Sequence, residues 1–534
     1  MRTLYRTGGL QTLALQTPTG PAEAAPALNA LVVDDATIAW MGCLRAGDSA
    51  PGDVDRTVDL GDALLTPAFV DAHAHVTETG LLLRGVDLTG VRSLREILDQ
   101  VAAAAGRGDV PVLGHGWDET RLAEQRPPTA AELDRAAAGA AVYLSRVDVH
   151  SAVISPALAR ACGAHDLDGW DGTGRVERDA HHAARTAIRS TLTPTARRTA
   201  QLTALGAAAR AGIAAIHEMS APSLAPDDDL RALVALVQEP GTALPDIVPY
   251  RSELVTTLDE AKATVERLGV RLAGLAGDLT ADGSVGSRTA AYREDYADAP
   301  GHRGHLYLTV EQVRDHVAAC TRAGLQAGFH VIGDAAMDVV RRGIRRAAGQ
   351  VGIAAVRAAR HRLEHVEAID AEGIADLVDL SITASVQPVF DALWGGAEGM
   401  YADRLGPQRA LAMNPLGAFA RAGVRLAFGS DSPVTPFDPW GAVRACVAHH
   451  APGQRLSPRE ALEAHTTGGW RAARTDDAGV LAVGAPATFA AWQVPSCQAE
   501  PGTLPVLDDD GPPPRCTLTV SRGRVLHDAA GRVP

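Results

Sequence analysis

Eight short apolar runs, most of them followed by a stretch of helical periodicity, constrain this chain more than any other feature. They cover residues 64–72, 213–217, 246–252, 271–279, 325–331, 361–366, 382–389 and 425–429. Runs this short, alternating with Ala-, Leu- and Arg-rich helical segments, point to parallel βα units. Eight such units predict an α/β fold closed into a barrel.

The rest of the chain reads differently. With 534 residues it is too long for one ordinary core, so two or three structural units are expected. Residues 1–62 and 475–534 carry short strand signals. Segments 27–33 and 37–41 form one expected hairpin, and 517–520 and 524–527 another, with 479–494 also strand-like. One small β-domain built from both termini is expected, around a barrel over 63–474. The gap between the first two runs, 77–210, is too long for a single βα connection. It holds helical stretches at 93–105, 129–138 and 195–211 and a strand-like 141–145, and is expected to be an inserted subdomain. Residues 501–514 read as a Pro-, Gly- and Asp-rich surface loop.

Composition excludes several function classes. A formal net charge of -14 without a basic tract argues against nucleic acid and anionic membranes as partners. No apolar run approaches the ~20 residues of a membrane helix. The N-terminus lacks a signal-peptide pattern, so a cytoplasmic location is expected. The six cysteines form no C-x-x-C pair and read as isolated reduced thiols rather than a zinc site. Lys262 is the only lysine, and it falls in a helix-like stretch, 258–268, far from any strand end.

The strongest local signal is the end of the first run, Val70-Asp71-Ala72-His73-Ala74-His75. Side chains alternate along a strand, so His73 and His75 share a face, and barrel active sites lie at the C-terminal ends of strands. His330 and His365 close two further runs, and Asp431 follows the last one in Phe428-Gly429-Ser430-Asp431. Taken alone, each of these three is better read as a core histidine, a turn or a helix cap. Together, four strand ends deliver histidines and a carboxylate in an eight-run pattern. That donor set suits a divalent metal, zinc or a similar ion.

The stretches TPAFVDAHAH, GHGWDET, TADGSVGSRTA, FHVIGDAAMD, HRLEHVE, SVQPVF, FGSDSPV and SPREALEAHTTGG carry a resemblance over almost the whole chain. The sequence resembles amidohydrolase family 3, in its YtcJ-like or N-substituted formamide deformylase-like branch. The resemblance implies a distorted TIM (β/α)8 barrel with a composite β-sandwich. It implies metal-dependent hydrolysis of non-peptide carbon–nitrogen bonds in a small-molecule amide, formamide or cyclic amide, and suggests a homodimer. In such a site Asp431 ligates metal and moves the proton, and His365 ligates metal or polarises the carbonyl. Arg288 and Trp117 are candidate substrate contacts, and His217 or Glu218 is expected to reach the pocket.

One position departs from the family pattern. Many relatives bridge two metals with a carboxylated lysine, which in this branch stands four residues before the aspartate of the DGS motif. Here that position is Asp278. Three consequences stay open: Asp278 bridges two ions directly, the site holds one ion and resembles a deaminase that releases ammonia, or the barrel binds ligands without catalysis. A Schiff-base aldolase has no lysine at a strand end, and a two-carboxylate glycosidase has no use for the histidines.

Overall fold

In the computed structural model the apolar runs form a ring of eight parallel strands: β1 (Phe69–Ala74), β2 (Ile213–Ser220), β3 (Asp246–Arg251), β4 (Gly274–Leu275), β5 (Gln326–Val331), β6 (Arg362–His365), β7 (Thr383–Val386) and β8 (Arg425–Phe428). Residues 1–13, 28–45, 48–108, 111–222, 224–495, 504–505, 507 and 511–533 are described. Each strand pairs with its sequence neighbour, as right-handed βα crossovers require. The ring closes where the His75 amide donates to the Ser432 carbonyl (2.8 Å) and the Asp431 amide to the His73 carbonyl (2.7 Å). The fold is a distorted TIM barrel.

The first expected strand divides. Leu64–Pro67 pairs with Phe489–Gln493, outside the barrel, and only Phe69–Ala74 enters the ring. Strand β4 is far shorter than the expected 271–279. Gly277 adopts φ +93°, where a Cβ would meet Met219 Sδ at 2.6 Å, and the regular ladder breaks there before Leu279 and Ala281 bond to His330 on β5. The expected seventh run ends early because Pro388 starts a helix, Pro388–Trp394.

Both chain ends build β-structure. Thr37–Gly42, Ala30–Asp34, Arg2–Arg6 and Arg56–Asp59 form one sheet. Gly9–Leu10, Leu64–Pro67, Phe489–Gln493, Arg515–Ser521 and Arg524–Asp528 form another. Tyr5, Leu31, Val33, Leu65, Phe489 and Leu518 share one apolar core between them. Residue 27 of the first expected hairpin, and much of the expected 501–514 loop, lie outside the described residues.

Between β1 and β2 stands a separate five-stranded sheet, in the order Arg175–Glu177, Ser151–Ile154, Val142–Arg146, Val112–Trp117 and Val86–Asp87. Helix α1 (Val76–Arg84) leaves β1, helix α2 (Arg178–Ser190) follows the sheet, and helix α3 (Pro194–Arg210) feeds β2. Helices α1 and α3 pack so closely at Gly80 that a Cβ there would lie 1.9 Å from the Ala200 carbonyl oxygen. No helix among the described residues is long and apolar enough to cross a membrane.

Candidate metal centre

Five strand ends converge at the C-terminal mouth of the barrel. His73 Nε2 lies 3.4 Å from Asp278 Oδ1 and 3.3 Å from Asp431 Oδ1. His75 Nε2 lies 3.1 Å from Asp278 Oδ2 and 3.3 Å from Asp431 Oδ1. His330 Nδ1 and His365 Nε2 approach Asp278 Oδ1 at 3.7 and 3.8 Å. These donors form three overlapping sets: His73, His365 and Asp431; His73, His75 and Asp278; and Asp278, His330 and His365. Asp278 belongs to two of them. The left-handed break at Gly277 turns Asp278 out of the β4 line and into this position. Strict alternation would put His365 on the opposite face from Glu364, but its φ of 70° re-aims it. Asp431, at φ 56°, is likewise held in a region that non-glycine residues seldom occupy, as happens at functional sites.

The far nitrogen of every imidazole is fixed by an acceptor. His73 Nδ1 donates to Glu364 (2.9 Å), His75 Nδ1 to the Met219 carbonyl (3.0 Å) and His365 Nδ1 to Gln387 Oε1 (2.8 Å). His330 uses Nε2 towards the Gly283 carbonyl (3.3 Å). Once a cation replaces the protons, these bonds would leave the lone pair of each near nitrogen facing the pocket, the arrangement that orients histidines as metal ligands. Among the described residues His73 Nε2, His365 Nε2 and Asp278 Oδ1 are buried with no hydrogen-bond partner. Orphaned polar atoms at this depth are costly unless a cation satisfies them. The donor set fits a divalent metal.

The electrostatics agree. Burial disfavours charge on His73 and His75, yet Asp278 and Asp431 outweigh it and raise both imidazole pKa values, that of His75 to about 10. Conversely, burial pushes the two carboxyls up, and the histidines more than offset it and hold them low. The pocket therefore demands positive charge. Beneath it, Arg362 fills the barrel interior. It donates to Glu364 (2.6 and 2.9 Å), Ser385 (2.8 Å), the Ala72 carbonyl (2.6 Å) and His217 Nδ1 (2.9 Å), and lies over the Tyr250 ring.

Four expected substrate contacts stand elsewhere. Strand β2 runs on to Ser220, so His217 and Glu218 lie within it rather than at its end. His217 sits under the cluster against Arg362, and Glu218 accepts from the Val76 amide (2.7 Å). Trp117 is fully buried in the inserted subdomain and donates to the Leu144 carbonyl (2.9 Å). Arg288 makes a two-point ion pair with Asp298 (3.0 and 2.6 Å). None of the four lines either cavity at the centre.

Other residues line the cavities instead. A cavity of about 210 Å³ covers the cluster and is walled largely by the insertion, including His115, Tyr143, His150 and Arg185. A smaller recess of about 30 Å³ shares His330, His365 and Asp431, and adds Phe390, Trp394 and Val434. Of these, His150 left a signal, following an apolar strand in Asp148-Val149-His150. Glu364 and Gln387 also end or nearly end apolar runs.

A family model described as the amidohydrolase family matches residues 56–527. Protein LONG AFTER FAR-RED 3 of Arabidopsis thaliana is 27% identical over 483 residues, spanning 84% of this chain and 81% of its own. The N-substituted formamide deformylase of Arthrobacter pascens is 24% identical over 480 residues, spanning 82% of this chain and 83% of its own. A crystal structure of an uncharacterized metal-dependent hydrolase from Pyrococcus furiosus matches with TM-score 0.70 and 26% identity, over 92% of this chain and 98% of its own.

Proposed function

Because the chain belongs to the amidohydrolase family, we propose that it hydrolyses the carbon–nitrogen bond of a small amide or formamide at a two-ion centre bridged by Asp278. The observation that carries this is the position of Asp278, whose carboxylate lies within 3.8 Å of four histidines, with Oδ1 facing His73, His330 and His365 and Oδ2 facing His75. A carboxylate so placed can stand in for the family's lysine, because all four imidazoles are within its reach.

His73, His75, Asp278 and Asp431 would hold one ion, and Asp278, His330 and His365 the second. Imidazole and carboxylate ligands together suit zinc and similar ions. Bound there, a divalent cation supplies Lewis acidity and makes hydroxide available near neutral pH. Asp431 is held ionised by its histidine neighbours, so its carboxylate can accept the proton of the attacking water. It then passes that proton to the leaving nitrogen, and the products are a carboxylate and an amine. The recess bounded by Phe390, Trp394 and Val434 has room for about one or two heavy atoms, enough for the hydrogen or methyl substituent of a formyl or acetyl carbonyl. The relative from Arthrobacter pascens, a formamide deformylase by name, supports an acyl group of that size.

The test is metal content by plasma mass spectrometry, on tag-free protein purified without chelators, together with release of amine and formate or acetate. About two ions per chain are expected, falling to about one in Asp278→Asn. One ion in both proteins would remove the bridge. No bound metal after reloading would sink the hydrolase reading.

A further inference from the structure

Helix α2 roofs the larger cavity, and one of its faces brings positive charge to it. Arg178, His181, Arg185 and Arg189 line that cavity and recur at three- and four-residue spacing, so they share a face. Two of the arginines are already neutralised: Arg178 pairs with Asp168 (2.7 Å) and Arg189 with Glu78. Arg185 is different. Among the described residues no carboxylate forms an ion pair with it, and its Nε is buried without a hydrogen-bond partner. Glu78 also borders the cavity, but Arg189 engages both of its oxygens.

The neighbours do not compensate the charge. His181 Nε2 is bonded to the Tyr143 hydroxyl (2.7 Å), and burial together with Arg185 holds that imidazole neutral. His182 is lowered by the same causes, and burial brings His115 to about 4. Among the described residues the guanidinium of Arg185 thus faces the upper cavity without a direct counter-ion. Around it lie Leu81, Leu82, Leu113, Ile188, Leu192 and Leu224. A guanidinium in such a setting takes a planar anion through two parallel hydrogen bonds. One charge matches a monoanionic carboxylate and would leave the second charge of a phosphate unpartnered.

We propose that Arg185 binds a carboxylate of the substrate, so that the amide hydrolysed is that of an N-acyl amino acid or a similar carboxylate-bearing amide with an apolar side chain. This rests on the hydrolase reading above. In this arrangement the acyl carbon lies at the metal centre, and the side chain and carboxylate extend under α2.

The experiment uses metal-loaded protein and matched pairs: N-formyl-, N-acetyl- and N-carbamoyl-leucine, each beside the same amide of isopentylamine, which lacks only the carboxylate. The wild type is expected to favour the carboxylated member by about 10–100-fold in kcat/KM. Arg185→Met is expected to erase most of that preference, and Arg185→Lys to restore part of it. A wild type indifferent to the carboxylate, or a variant that slows both members alike, would overturn the assignment. If no pair is hydrolysed, the hydrolase reading fails for these amides. The same pairs then serve as ligands in calorimetry: a carboxylate preference lost in Arg185→Met upholds the role of Arg185, and equal affinities refute it.

Discussion

At the residue scale, the quality of the proposed metal ligands is set one layer below them. Glu364 is fully buried, and although burial pushes its carboxyl up, Arg362 and His73 bring it to about 2. It therefore stays ionised and fixes the His73 tautomer. Glu364→Gln keeps the shape but weakens that hold, and its metal affinity, measured by competition against a chelator, should fall by about 10–100-fold. An unchanged affinity would mean that the ring is oriented by packing alone. Arg362 and Glu364 were visible as charges inside an apolar run, but their partners were not. His73 is 291 residues from Glu364.

At the element scale, strand lengths decide which side chains reach the mouth. Strand β2 is three residues longer than its apolar run suggested, which moves His217 and Glu218 away from the cavities. The short β4 has the opposite effect and sets Asp278 free to turn inward. The insertion is pinned to the barrel through the loop after β4, where Asp148 accepts from Ser284 (3.1 Å) and Ser287 (2.8 Å) and pairs with Arg146 (3.1 Å). Burial raises the Asp148 carboxyl, but Arg146, His150 and the two hydroxyls outweigh it and hold it at about 2, below its ordinary 3.8. A depressed carboxyl stabilises the fold above its unfolded pKa, and that contribution is lost as pH falls towards the folded value. Melting temperatures measured from pH 6 to 2 should therefore drop more steeply in the wild type than in Asp148→Asn. Parallel curves would show that the pin is not electrostatic.

At the scale of the whole molecule, Trp492 couples the terminal sheets to the barrel. Its Nε1 donates to Thr66 Oγ1 (2.9 Å), and its ring meets Phe69 and Trp440 edge-on, each at 5.5 Å between centroids. Gly212, just before β2, leaves room for it: a Cβ there would lie 2.2 Å from the indole. Truncating so large a buried side chain should cost about 3–5 kcal/mol. If barrel and terminal sheets unfold as one, Trp492→Ala shifts a single calorimetric transition downward. Two separated transitions would show that each holds without the other.

What the sequence by itself determined was local: the alternation of apolar runs and helices, the histidines closing those runs, and the aspartate after the last. Each follows from periodicities of a few residues, so no distant partner was needed to see it. The tertiary structure alone decided which charges are satisfied. It paired Arg288 with Asp298, buried Trp117 in the insertion, brought Asp278 within reach of four histidines and, among the described residues, left Arg185 without an ion-pair partner. Those outcomes depend on residues far apart in the chain, and on two glycine-dependent close approaches, at Gly277 and Gly80, that composition and spacing do not encode.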